Sequence, residues 1–84
     1  DLAALRQAAE SAPRDAGAHL ALGAALAASG AHAGALEALL NSVRIDKRYE
    51  DDAARKAMLQ VFQLLGDENP LTAEYRRKLA SLLF

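Results

Sequence analysis

The sequence predicts an all-α protein, five helices stacked as a short right-handed solenoid. Apolar residues recur at helical spacing along the chain, and no segment alternates apolar and polar residues over the length of a strand. Small residues also fall where helices would cross. Leu22-Gly23 is followed by Leu26 and then, beyond Ser29-Gly30-Ala31, by Ala35, Leu39 and Ser42. Gly23 and Ala35 leave room for two backbones to approach, while the leucines fill the space beside them. Helix-breaking residues punctuate the pattern at Pro13, Gly30 and Gly66, the two glycines standing 36 residues apart.

The first helix is expected over Leu2 to Ser11, with Leu2, Leu5 and Ala9 on one face and Arg6, Gln7 and Glu10 on the other. Pro13 ends it, because the ring cannot continue the hydrogen bonding and biases Ala12 away from helix. Asp15 is the expected N-cap of a second helix running to about Ser29, where Gly30 supplies a left-handed stop. The third helix spans about His32 to Ile45 and buries Leu36, Leu39, Leu40 and Val43. Asp46 to Glu50 reads as a polar connection, and Asp51 or Asp52 as the cap of a fourth helix. That helix carries Ala54, Met58, Leu59, Val61, Phe62 and Leu65 and stops at Gly66. After a turn at Asp67-Glu68-Asn69-Pro70, a last helix begins near Leu71 or Thr72 and buries Leu71, Tyr75, Leu79, Leu82 and Leu83.

The second and third helices together resemble a tetratricopeptide repeat, a helix-turn-helix unit of about 34 residues with the pattern W-x2-L-G-x2-Y, A-x3-F, P. Here it reads His19-x2-Leu22-Gly23-x2-Leu26, then Ala35-x3-Leu39, with Lys47 where the proline would fall. In the same register Leu5, Ala8 and Pro13 take the large, small and proline positions of a preceding repeat. The chain therefore divides into the second helix of one repeat (1–12), a full repeat (15–45) and an atypical terminal repeat (51–84). The last of these carries two extra residues, expected in the Asp46 to Glu50 connection. With no Met at position 1 and no signal-like segment, the chain is expected to be a fragment of something longer, lacking the first helix of its first repeat.

Composition narrows the function. Eighty-four residues make one domain and bury only about 60% of the unfolded surface, so stability is expected to be marginal unless the chain packs on something else. There is no cysteine, so disulfides, thiolate chemistry and Cys-based metal sites are excluded. A net charge of -1 supplies no general attraction to nucleic acid or anionic lipid. Ala16 to Leu36 is uncharged over 21 residues, long enough to suggest a membrane span. Its four Gly, two His and one Ser, with only four large apolar residues, fit packed soluble helices better. Residues 1–42 hold 16 of the 21 alanines and residues 43–84 hold 15 of the 21 charges, so one half is built for close contact and the other for solvation.

The second half resembles something narrower. Asp51-Asp52-x-x-Arg55-Lys56, Phe62-x-x-Leu65-Gly66, Pro70-Leu71 and Tyr75-Arg76-Arg77-x-Leu79-x-x-Leu82-Leu83-Phe84 are similar to the C-terminal repeat domain of bacterial thioredoxin-like co-chaperones, the chaperedoxin family. With the preceding repeat included, the resemblance covers essentially the whole chain. It implies a cytoplasmic protein with a thioredoxin-like domain before Asp1, handling unfolded or oxidation-damaged clients and passing them to a GroEL-type chaperonin. It also implies that Tyr75 to Phe84 docks to the chaperonin. On that reading Arg76, Arg77, Leu83 and Phe84 are the partner-binding residues.

Catalysis finds no footing. His19 and His32 lie on different helices with no further ligand in sequence reach, so no metal site is expected, and no cofactor. Asp51-Asp52 and Asp67-Glu68 sit where helix starts and turns favour acidic residues anyway. Ser11, Ser29, Ser42 and Ser81 have no histidine arrangement to activate them, and the glycines are too scattered to cradle phosphate. Arg76-Arg77-Lys78 is the densest basic run, but Arg44, Lys47, Arg48, Arg55 and Lys56 are interleaved with Asp46, Glu50, Asp51 and Asp52, which disfavours nucleic acid. An aromatic-plus-arginine patch at Tyr75, Arg76, Arg77, Leu83 and Phe84 is typical of a protein interface. Leu20, Ala24, Ala27 and Ala28 are expected to face the groove of the solenoid. They offer no donor to clamp a carboxylate, so the groove suits an apolar peptide or helix. Two functions are consistent with these residues: a non-enzymatic interaction module of a co-chaperone, or a structural spacer or dimerisation module that recognises no client.

Overall fold

The computed structural model describes all 84 residues as five helices and no strand. They are α1 (Leu2–Ser11), α2 (Ala16–Ala28), α3 (His32–Ile45), α4 (Tyr49–Leu65) and α5 (Pro70–Leu83). This is an all-α, repeat-type helical solenoid, as the periodicity predicts.

Local chemistry sets most boundaries. The Asp15 carboxylate accepts from Gly17 N at 2.9 Å and Ala18 N at 3.2 Å, satisfying two of the orphan amides that open α2. At its other end Gly30 adopts φ 86°, which costs glycine nothing because it lacks a Cβ. Ala31 N then donates to Leu26 O at 2.9 Å and Gly30 N to Ala27 O at 3.1 Å, the paired bonds of a Schellman stop. Asn69 opens α5 by accepting from Leu71 N at 2.9 Å, with Pro70 just inside the helix. The sequence reading treats Asn69-Pro70 as turn only and starts the helix one or two residues late.

The start of α4 differs from expectation. Neither Asp51 nor Asp52 caps it. Glu50, Asp51 and Asp52 all have positive φ (52°, 57° and 61°), a left-handed turn that precedes the regular helix. The acidic side chains are engaged with bases of the same segment: Asp52 with Arg48 at 3.6 Å and Arg55 at 3.5 Å, Asp51 with Lys56 at 3.1 Å. Lys56 holds the Asp51 carboxyl below the usual carboxylate range, by hydrogen bond first and by charge second.

Helix α3 is the axis of the packing, with seven of its fourteen residues buried. One side of it joins Ala9, Leu22 and Leu26 from α1 and α2 through Ala35 and Ala38. The other side joins Ala54, Met58, Val61 and Phe62 of α4 and Tyr75 and Leu79 of α5 through Leu36, Leu39, Leu40 and Val43. The α2–α3 crossing is the closest in the molecule. A Cβ on Gly23 would lie 2.6 Å from Leu39 Cδ2 and 3.2 Å from Leu39 N. Ala35 is fully buried, and Ser42, also buried, donates to Ala16 O at 2.9 Å across the same pair.

The α4–α5 pair is more open. In the 36-residue register set by Gly30 and Gly66, Leu59 replaces Gly23 and Leu71 replaces Ala35, so this pair lacks the small residues that let α2 and α3 close. Helix α5 leans on α3 as well as on α4, and the Tyr75 hydroxyl donates to Glu37 Oε1 of α3 at 2.7 Å. Thr72, fully buried, fixes the start of α5 by donating to Gly66 O at 2.8 Å.

Candidate protein-interaction surfaces

Helices α2 and α4 flank an apolar groove of about 340 Å³. Ala24, Ala27 and Ala28 line one wall, and Ala57, Val61 and Leu64 the other. The small wall of α2 keeps the groove wide, and Leu64 is 71% exposed at its rim, so a large apolar side chain is available to a visitor. Gln60 and His32 are the polar groups along it. The Nδ1 atom of His32 is buried without a hydrogen-bond partner. Leu20, expected beside Ala24, does not line this groove. It is half-buried against the core shared by α3, α4 and α5.

The second surface is the outer face of α5. Phe84, at the end of the chain, is fully exposed, and Leu83 beside it is half-buried against the core. Arg77 is exposed and forms no ion pair, whereas Arg76 is committed within the fold. Its guanidinium pairs with Asp67 at 2.9 Å and lies 5.6 Å from the Phe62 ring centroid, tying α5 to the end of α4. Lys78 pairs with Glu74 at 2.9 Å and sits 4.7 Å from the Tyr75 ring. Arg77, Leu83 and Phe84 are thus the members of the predicted set not held by side-chain polar bonds inside the domain.

Sequence reasoning missed the polar node that braces this helix. Glu37 receives the Tyr75 hydroxyl and lies 3.7 Å from Arg44. Burial, with Glu37 as hydrogen-bond acceptor and neighbouring charge, pushes the Tyr75 phenol up to about 12. Glu37 and Tyr75 are 38 residues apart, so no local spacing signals the contact.

The hydroxyls of Ser29, Ser42 and Ser81 each donate to a backbone carbonyl, those of Leu26, Ala16 and Lys78 respectively. No three histidine or carboxylate side chains converge in an arrangement that could hold a metal ion. His19 points its Nε2 at Pro13 O, 3.2 Å away, bracing the α1–α2 corner. Six of the ten basic side chains are paired with carboxylates, leaving Arg6, Arg14, Lys47 and Arg77 dispersed, which gives no basic track for a phosphate backbone. No helix is long and apolar enough to cross a membrane.

The repeated α-hairpin, the glycine at its crossing and an open apolar groove agree with the comparison to known families, in which the tetratricopeptide repeat matches residues 1–84. The chain belongs to the tetratricopeptide-repeat family. Repeats of this family generally mediate protein–protein interaction. Neither the curated proteins nor the solved structures yielded a match to the chain.

Proposed function

We propose that this tetratricopeptide-repeat domain is the non-catalytic interaction module of a thioredoxin-like co-chaperone. It helps to hold unfolded or damaged clients and docks to a GroEL-type chaperonin. The observation that carries the reading is the exposed end of α5, where an unpaired guanidinium, Arg77, stands on the same helix as an apolar pair, Leu83 and Phe84. Phe84 is fully exposed and Leu83 is half-buried beside it. Large aromatic and arginine side chains are also the usual anchors of protein interfaces.

Arg77, Leu83 and Phe84 would make the contact, and Arg76, through Asp67 and Phe62, would hold α5 in place for it. The groove between α2 and α4, with Ala24 in its wall, suits an extended apolar client segment. Such a protein works in the cytoplasm, and its redox chemistry would belong to a thioredoxin-like domain preceding Asp1. Pull-down of purified chaperonin by the immobilised 84-residue chain tests the reading. Retention supports it, and a chaperonin that washes through supports the spacer function instead.

A further inference from the structure

A second cavity, of about 540 Å³, lies on another face of α2 from the Ala24 groove and shares no lining residue with it. It is a cleft, formed because α1 and α3 both pack on α2 and not on each other. Leu22 and Leu26 are its floor, with Ala9 of α1 and Ala38 of α3 at the foot of the walls. At Gly34 the α3 wall has no side chain, and a Cβ there would come no nearer than 3.5 Å to Leu26, so this end stays open. His19 and Pro13 close the other end, the His19 Nε2 lying 3.2 Å from Pro13 O. From His19 to Leu26 the floor runs about 10 Å at 1.5 Å per residue, the length of about three residues of extended chain. Two carboxylates and one guanidinium stand over it. Glu10, on the α1 wall, is exposed and forms no ion pair. Glu37, on the α3 wall, accepts the Tyr75 hydroxyl on Oε1, and its Oε2 has Arg44 at 3.7 Å, too far for a hydrogen bond. Arg6 lies one turn before Glu10 on the α1 wall.

We propose that this cleft receives a single lysine or arginine side chain from an extended segment of a protein partner. The methylenes of that side chain lie along Leu22 and Leu26, and its charge comes to rest between Glu10 and Glu37. Charge complementarity selects this occupant. A wholly apolar visitor would strip water from two carboxylates and give nothing back, and an acidic one would be repelled. A run of basic residues would set a second cation against Arg6, so one cation on an aliphatic stem is what the walls accept. Arg77, Leu83 and Phe84 take no part in the cleft, and the proposal stands or falls separately from the co-chaperone function.

The probe is the N-acetylated, C-amidated peptide Leu-Ala-Lys-Leu-Ala, titrated into the 84-residue chain while backbone amide shifts are followed. Saturable shifts are expected at Glu10, Gly34, Ala38 and Asn41, and none at Ala24, Ala28 or Leu64. Norleucine in place of the lysine keeps the stem without the charge and should weaken binding about threefold, the scale of an exposed ion pair. Glutamate in that place should abolish the shifts. Glu10→Gln should weaken the lysine peptide by a similar factor and leave the norleucine peptide unchanged. Gly34→Leu, which fills the open end of the cleft from an exposed position, should weaken both peptides by at least about tenfold. The proposal is overturned if the cleft amides do not move, or if the shifts fall on the Ala24 groove or on α5. It is also overturned if the lysine and glutamate peptides bind alike, or if both variants bind as the parent does. Sedimentation of the free chain as a dimer that Gly34→Leu dissociates would overturn it too, by giving the cleft to a second copy.

Discussion

At Gly23 the missing side chain decides how closely α2 and α3 approach, and its effect can be set against an ordinary helix preference. Glycine inside a helix costs about 1 kcal/mol relative to alanine, so Gly→Ala is stabilising wherever a Cβ fits. At Gly34 it fits, since the nearest atom would be Leu26 Cδ1 at 3.5 Å, an ordinary contact. At Gly23 the added carbon would meet Leu39 Cδ2 at 2.6 Å and the Leu39 backbone at 3.2 Å, and overpacking of that kind costs about 1–3 kcal/mol. Chemical denaturation should therefore separate the two variants, Gly34→Ala up by about 0.5–1 kcal/mol and Gly23→Ala down by up to about 2 kcal/mol. Glu50 offers the converse case. It sits at φ 52° with no ion pair, where a side chain costs about 1–2 kcal/mol against the entropic penalty of about 0.5–1 kcal/mol for glycine. Glu50→Gly should raise stability by roughly the difference, about 0.5–1 kcal/mol, and an unchanged denaturation midpoint would contradict the strain assigned to this turn.

Between elements, the bond from Tyr75 to Glu37 ties α5 to α3, and it has a pH signature. The phenol is raised from 10.0 to about 12 in the folded chain, so the folded state favours the protonated form. Its contribution is fully present below the unfolded value near pH 10 and is lost as pH rises toward 12. Urea unfolding at pH 9, 10.5 and 11.5 should show the parent weakening over that window, with Tyr75→Phe weaker at pH 9 but less sensitive above pH 10. Parallel pH profiles for the two chains would contradict the assignment. This node was not legible in the sequence, because Glu37 reads as an exposed residue and nothing local marks its partner. The extents of α1, α2 and α3 were legible, since Asp15, Pro13 and Gly30 each act within a few residues of where they stand. The left-handed turn at Glu50 to Asp52 was not. Aspartate before a helix reads as a cap, but here Arg48, Arg55 and Lys56 compete for the carboxylates.

Across the whole molecule, small residues make one half tight and large ones leave the other half open. Gly23 and Ala35 close α2 onto α3, whereas the equivalent places hold Leu59 and Leu71 and α5 rests on α3 as well as on α4. Of the candidate interface, Ala24, Ala27 and Ala28 in the groove wall were legible from the repeat register alone. The inward turn of Leu20 toward the core of α3, α4 and α5 and the pairing of Arg76 with Asp67 of the α4–α5 turn were not, because each depends on the packing of separate segments. What remains outward on α5 is Arg77 and Phe84, with Leu83 half-buried beside them, and the function proposed here depends on that end. The most direct test is the affinity of the 84-residue chain for a purified GroEL-type chaperonin, measured beside the double variant Arg77→Glu, Phe84→Ala. Both side chains are exposed, so the variant should keep its helicity and melt within about 2–4 °C of the parent, since exposed changes stay within about 0.5 kcal/mol. The account predicts saturable binding by the parent and at least about a tenfold loss, 1.4 kcal/mol, in the variant. Equal affinity for the two chains, or no binding by the parent, would contradict it.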